Sequence, residues 1–204
     1  VFREDQEARD LWKKVAGVPD GRVVGLGEKD NFWSMGDVGP CGPCSEILVD
    51  RGDAFGAPDI ENGERFFEIW NLVFMQFEQR ADSTRVPLPR PSIDTGMGLE
   101  RMAMVLQGAG SVFETDLFQP ILGRIVEISG VPYDPGPSGV PHRVLADHVR
   151  SLVFAFADGA EPSNEGRGYV LRRILRRAAR FGRKIHPDGA MLHRPVEGVV
   201  EEMG

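Results

Sequence analysis

Residues 66–78 read FFEIWNLVFMQFE. Aromatic and β-branched side chains fill the run, with polar ones at Glu68, Asn71 and Gln76. That composition predicts a long strand buried on both faces rather than a helix. The flanking segments continue the pattern. Downstream, the turn-rich RADSTRVPLPRP (80–91) leads to a short strand at Ser92–Asp94, broken at Thr95-Gly96. MGLERMAMVLQG then runs as a helix to Gly108. Upstream, DAFGAPDIENGE is loop by composition, and SEILVD (45–50) fits a strand that stops at Arg51-Gly52. GRVVGLG reads as a short strand between glycines. Residues 4–16 form an amphipathic helix ended by Gly17 and Pro19.

Beyond this β-rich half the pattern turns helical. Residues 114–130 place Leu117, Ile121, Leu122, Ile125 and Val126 at helical spacing. VPYDPGPSGVP (131–141) reads as a linker. HRVLADHVRSLVFAFADG is an apolar helix with Leu145, Val149, Leu152, Val153 and Phe156 on one face, and GYVLRRILRRAARFGRK is another helix.

The chain has 204 residues, 41% hydrophobic and 27% charged, room for one large domain or two small ones. No apolar run is long enough to span a bilayer, so no membrane association is expected. No charged-then-apolar leader is present. The first residue is Val1, inside ordered-looking sequence, so a piece of a longer or processed protein is expected. Two cysteines make no disulfide framework, which fits a reducing, cytoplasmic setting. The net charge of −7 is unevenly spread. Residues 1–140 carry 13 Lys/Arg against 23 Asp/Glu, whereas residues 141–204 carry 11 against 8. The basic end is a candidate for a polyanion.

Both cysteines lie in NFWSMGDVGPCGPCSEI (31–47). A closed zinc site wants four ligands, and there is no second C-x-x-C. The histidines (142, 148, 186 and 193) are far downstream, and only His142 and His148 stand at H-x5-H spacing. A redox pair would open a helix, and this one leads into a strand. Two small thiols in a rigid Gly-Pro loop remain. Trp33 and Met35 would then be either a pocket wall or ordinary core.

SIDTGMGLER (92–101) has a chemical shape. Asp94 ends a strand and could meet a cation. Gly96 and Gly98 let a backbone come close to a ligand. The following helix start favours an anion, and Arg101 offers a fork suited to phosphate. The segment is neither a Walker loop nor a dinucleotide fingerprint. Helix capping and a surface arginine explain it equally well.

From Arg167 to Lys184 there are eight basic residues and no acid. Val170, Leu171, Ile174, Leu175, Ala178 and Phe181 form one side, and the Arg pairs 172/173 and 176/177 stack on the other. Like charges four apart repel by a few tenths of a kcal/mol, and a one-sign face that tolerates this suits nucleic acid. An acidic protein partner or plain solvation are the other readings. EPSNEGRGYV supplies the helix start, with Ser163 or Asn164 near the cap.

Five blocks carry a resemblance: NFWSMGDVGPCGPCSEI, FFEIWNLVFMQF, PSIDTGMGLERMAMVLQG, RVLADHVRS and PSNEGRGYVLRRILRRAAR. In order and spacing they resemble the alanyl-tRNA synthetases across essentially the whole chain, with GLER resembling motif 3 of class II. The resemblance implies an α+β fold. Residues 1–108 would be the C-terminal part of an antiparallel-sheet catalytic domain, and 109–204 the start of a helical tRNA-recognition domain. It implies ATP and Mg2+ as cofactors, and alanine and tRNA(Ala) as partners. Asp94 would pair with the alanine ammonium, with Trp33, Asn71 and Val73 around it. Arg101 would grip the ATP γ-phosphate, with Gly96 and Gly98 giving room. Asn164 would read the acceptor stem, and Arg173 and Arg177 would hold its phosphates. A common cavity for Asp94, Arg101 and Trp33 is expected. Motifs 1 and 2 of the class and the family's zinc-bearing editing domain are not found, so the 204 residues alone are expected not to form alanyl-adenylate. A non-catalytic tRNA-binding relative is the alternative. Oligomeric state is not legible.

Overall fold

A computed structural model describes all of residues 1–204. The chain divides into two compact units, Val1–Val105 and Leu106–Gly204.

The first unit begins with helix α1 (Gln6–Ala16). The Asp5 carboxylate caps it by accepting from the Ala8 amide at 2.9 Å, and Gly17 ends it at φ 65°. A short helix α2 (Glu28–Asn31) follows. The sheet then runs β1 (Phe32–Ser34), β2 (Gly39–Asp50), β3 (Phe66–Gln79) and β4 (Arg85–Met97). Spatial order equals chain order, and all three pairings are antiparallel. Helix α3 (Leu99–Gln107) closes the unit's chain path.

The long strand is where the aromatic run placed it. It is mostly half-buried, however, with only Ile69 and Val73 fully enclosed. Three boundaries differ from expectation. The Gly-Pro-Cys segment is no loop: it is the first half of β2, and Phe32–Ser34 pairs with it as β1. GRVVGLG is no strand: Asp20–Arg22 makes one 3-10 turn, and only a bridge between Phe2 and Leu26 is extended pairing. β4 is thirteen residues long: it runs through three prolines rather than starting at Ser92, and continues through Thr95-Gly96 to Met97 rather than breaking after Asp94. Proline is tolerated here because β4 is an edge strand. Its residues 88–91 bow out of register between the pairs Met75–Ser92 and Phe77–Pro87.

The second unit holds α4 (Gln119–Ser129), α5 (Val140–Ala157), α6 (Gly166–Ile185) and α7 (Val196–Met203). Their core is Phe118, Ile121, Leu122, Ile125, Leu145, Ala146, Val149, Ala178, Ile185, Met191 and Val199. The buried stripe of α5 includes His142 and His148 in place of the expected Phe156, which is exposed near the helix end. Val170 on α6 is exposed as well. The 131–141 segment is pinned rather than a free linker. His142 Nε2 meets the Val131 carbonyl at 3.0 Å, and Arg143 donates to the Pro135 and Gly136 carbonyls at 2.8 and 2.9 Å. No helix is long and apolar enough to cross a membrane.

Candidate functional site

β3 carries Asn71 and Val73 two positions apart, so both project from one face. Val73 lies opposite Cys44 on β2 and Asp94 on β4. Asn71 lies opposite Glu46 and Gly96. No register slip falls between the two rows, so all six positions share that face. Val73 is buried and Asp94 exposed. The Asn71 side-chain oxygen is buried without a hydrogen-bond partner, a defect that costs about 1–3 kcal/mol when left unmet.

Arg101 stands one turn into α3. Its Nη1 donates to both the Glu68 carbonyl and the Glu68 carboxylate at 2.9 Å, and its guanidinium lies 5.2 Å from the Phe67 ring centre. The Gly98 amide donates to the Ile69 carbonyl at 3.2 Å, tying the helix start to β3. Between Ile47 and Leu48 the β2 register slips, which leaves Ile69 without a facing residue on β2 beside these anchors. Burial, and then the neighbouring Glu68 charge, push the Glu46 carboxyl above its ordinary range, while Arg101 pulls it back.

Trp33 sits on the other edge strand, opposite Gly42, and is 37% exposed. A cavity of about 460 Å3 in this unit is lined by Asn31, Glu46, Asp50 and Arg65 among others, but not by Trp33, Asp94 or Arg101. Those three side chains stand on open surface. Cys41 and Cys44 are free and buried. Burial, with Glu46 nearby, raises the Cys44 thiol to about 11, so it is a poor nucleophile. No group of three or more His, Cys, Asp or Glu gathers to hold a metal.

On α6 the arginines are exposed along one side. Asn164 accepts from Arg172 Nη1. Ser163 Oγ donates to the Glu165 carbonyl at 2.8 Å, and the helix N-cap is Glu165 rather than Ser163 or Asn164. The Arg173 guanidinium lies 5.9 Å from the Tyr169 ring centre. Arg177 reaches His148 on α5 at 3.3 Å.

A family model described as tRNA synthetases class II (A) matches residues 1–204 without remainder. The chain belongs to the class II tRNA synthetases. Among curated proteins it is 56% identical over 211 residues to the alanine–tRNA ligase of Oleidesulfovibrio alaskensis, covering all of this chain and 24% of that protein. It is 54% identical over 209 residues to those of a Caulobacter species and of Rhizobium johnstonii, covering all of this chain and 23% of each. The chain thus spans about a quarter of the relatives it matches.

In this class II synthetase chain the structure gathers Asp94, Val73, Asn71 and Gly96 on one sheet face, and holds Arg101 on Glu68 of the same strand β3. It does not enclose them with Trp33. Sequence reasoning missed Glu68 as the partner of Arg101, although Glu68 was visible as a polar break in an apolar strand. It also missed Asp147 and His148, which sit in the RVLADHVRS block; their signal was two polar side chains amid an apolar helix.

Proposed function

We propose that the chain carries the alanine-facing and phosphate-facing part of an alanine–tRNA ligase, followed by its first tRNA-binding helices. The observation that supports this best is the shared face of Asp94, Val73 and Asn71. The Asp94 carboxylate receives the alanine ammonium, and the unmet Asn71 oxygen accepts a second N–H. Val73 presents an apolar surface to the methyl group. Trp33 approaches from the opposite edge as a wall. Arg101 turns from Glu68 to the γ-phosphate, with Gly96 and Gly98 leaving the backbone accessible. The alanine carboxylate oxygen then bonds to the α-phosphorus as the bond to the bridging oxygen breaks, and pyrophosphate departs. The protein's part is placement and neutralisation of charge, with no covalent enzyme intermediate. Mg2+ would arrive with ATP and offset phosphate charge; the side chains here build no cage for it.

Arg173 and Arg177 hold backbone phosphates of the acceptor stem of tRNA(Ala), and Asn164, released by Arg172, reads a base edge. The decisive test is alanine-dependent ATP–pyrophosphate exchange in the full-length protein bearing this chain. Asp94→Ala removes the partner of a charged substrate group and is expected to lower exchange by at least about 30-fold, from about 2 kcal/mol or more. Exchange that persists undiminished in that variant would remove Asp94 from the alanine site, whereas no exchange in the unaltered protein would point to the non-catalytic tRNA-binding alternative.

A further inference from the structure

A second constellation lies in the helical unit, where α5 meets α6. His148 on α5 is nine-tenths buried, with its ring between two partners. Nδ1 lies 2.8 Å from the Asp147 carboxylate, and Nε2 lies 3.3 Å from Arg177 Nη1. A guanidinium only donates, so Nε2 must present its lone pair. The ring is then neutral with its proton on Nδ1, donated to Asp147. This is an oriented chain in which the carboxylate fixes the imidazole and the imidazole fixes the arginine. Beside it is a cleft of about 480 Å3 lined by His148, Val170, Arg173, Ile174, Arg176 and Arg177. Its charged walls are three arginines of one sign. The Arg177 guanidinium is also braced 5.6 Å from the Phe181 ring centre.

An unrestrained arginine on an exposed helix face loses side-chain freedom when it grips a ligand. A buried acceptor that already holds one Nη atom removes part of that cost, and leaves the other donors of the fork to an anion in the cleft. Hydrogen bonding to a neutral imidazole also does this without cancelling the positive charge, which an ion pair to a carboxylate would do. We propose that His148, set by Asp147, is a positioning residue that pre-orients Arg177 to bind an RNA backbone phosphate seated in the α5–α6 cleft. The inference rests on reading α6 as an RNA-binding helix.

The test is equilibrium binding of a short RNA hairpin duplex by the 204-residue chain across a salt series, with thermal unfolding of each variant alongside. Arg177→Met is expected to weaken binding about tenfold and to reduce the magnitude of the log–log salt slope by about one. His148→Met keeps the buried volume, removes the acceptor, and is expected to reproduce most of both effects. His148→Gln, whose amide oxygen can replace the Nε2 acceptor, is expected to restore them. The double variant His148→Met/Arg177→Met should be no weaker than Arg177→Met alone. If Arg177→Met lowers affinity while His148→Met leaves affinity and slope unchanged, the positioning role is overturned and the RNA reading stands. Additive losses in the double variant overturn it equally. If Arg177→Met itself changes nothing, the phosphate reading of α6 falls, and the inference with it.

Discussion

At the scale of single residues, Glu68 and Arg101 are an ion pair, and on the proposed reading their separation conditions phosphate binding. Both side chains are roughly two-fifths exposed, so their attraction is screened and worth no more than about 1 kcal/mol. Glu68→Gln removes the competing charge while the backbone carbonyl still accepts from Arg101. In the full-length protein this variant is expected to lower KM for ATP by at most about fivefold in pyrophosphate exchange. Arg101→Ala is expected to raise that KM. Cys44 gives a second residue-scale expectation. A thiol pushed up to about 11 holds only a trace of thiolate at pH 8. Alkylation of native chain at that pH should run at least about 100-fold slower than after denaturation. Fast labelling of the folded chain would contradict the burial of both sulfurs. Asp94 and Arg101 were legible as candidates because an acid, two glycines and an arginine at a helix start are an uncommon sequence, even though Asp94 proved to lie inside β4 rather than at its end. Glu68 was not: nothing in a linear sequence says that a bulge will turn a strand carboxylate toward a helix seven positions beyond Asp94.

At the scale of elements, close approach dominates. Gly42 sits in the irregular stretch of β2, where an added Cβ would collide with the Phe74 carbonyl of β3. Gly42→Ala must shift backbone against backbone, and a loss of about 1–3 kcal/mol is expected by denaturant unfolding. The connection after β2 depends on pH. Arg65 bonds the Asp50 carboxylate through Nε at 2.6 Å and Nη2 at 2.9 Å, and the Gly52 amide adds 2.9 Å. The Arg65 hydrogen bond, then that amide, holds Asp50 down to about 2. An acid whose folded value is depressed adds stability above its unfolded value, near 3.9, and loses it as pH falls toward the folded value. Amide protection in residues 51–65, measured against the intrinsic exchange rate at each pH, should therefore fall between pH about 4 and 2 in wild type. In Asp50→Asn that dependence should shrink. The long strand β3 was legible because eight of its fourteen residues are aromatic or branched, which leaves few alternatives. The length of β4 was not, since proline reads as a stop until a strand is known to lie at an edge. β1 and the first half of β2 were hidden likewise, because Gly-Pro pairs look like turns when their partners are unknown.

At the scale of the whole molecule, charge is segregated. The chain carries −7 overall, yet eight basic residues stand on α6 without an acid among them. Binding of an RNA duplex should therefore occur despite the net repulsion, and weaken steeply with added salt, because released counterions rather than net charge set the trend. A flat salt dependence would exclude phosphate contacts. The helical unit has its own enclosed core, with Ile121, Ile125 and Leu145 fully buried. The division near the middle of the chain was legible from the change of hydrophobic period. What was not legible was that the 131–141 segment is stapled by His142 and Arg143, since proline and glycine content reports flexibility only until side chains supply anchors. The sheet unit has a different exposure. Its β4 margin displays Ile93 and Met97 to solvent, an arrangement that would ordinarily invite other chains to zip on. Pro87, Pro89 and Pro91 lack amide hydrogens, and residues 88–91 bulge away from the plane of pairing. A foreign β-segment would find its ladder interrupted along 87–91, so only the six residues Ser92–Met97 are left to template one, a shorter border than the strand's thirteen residues suggest.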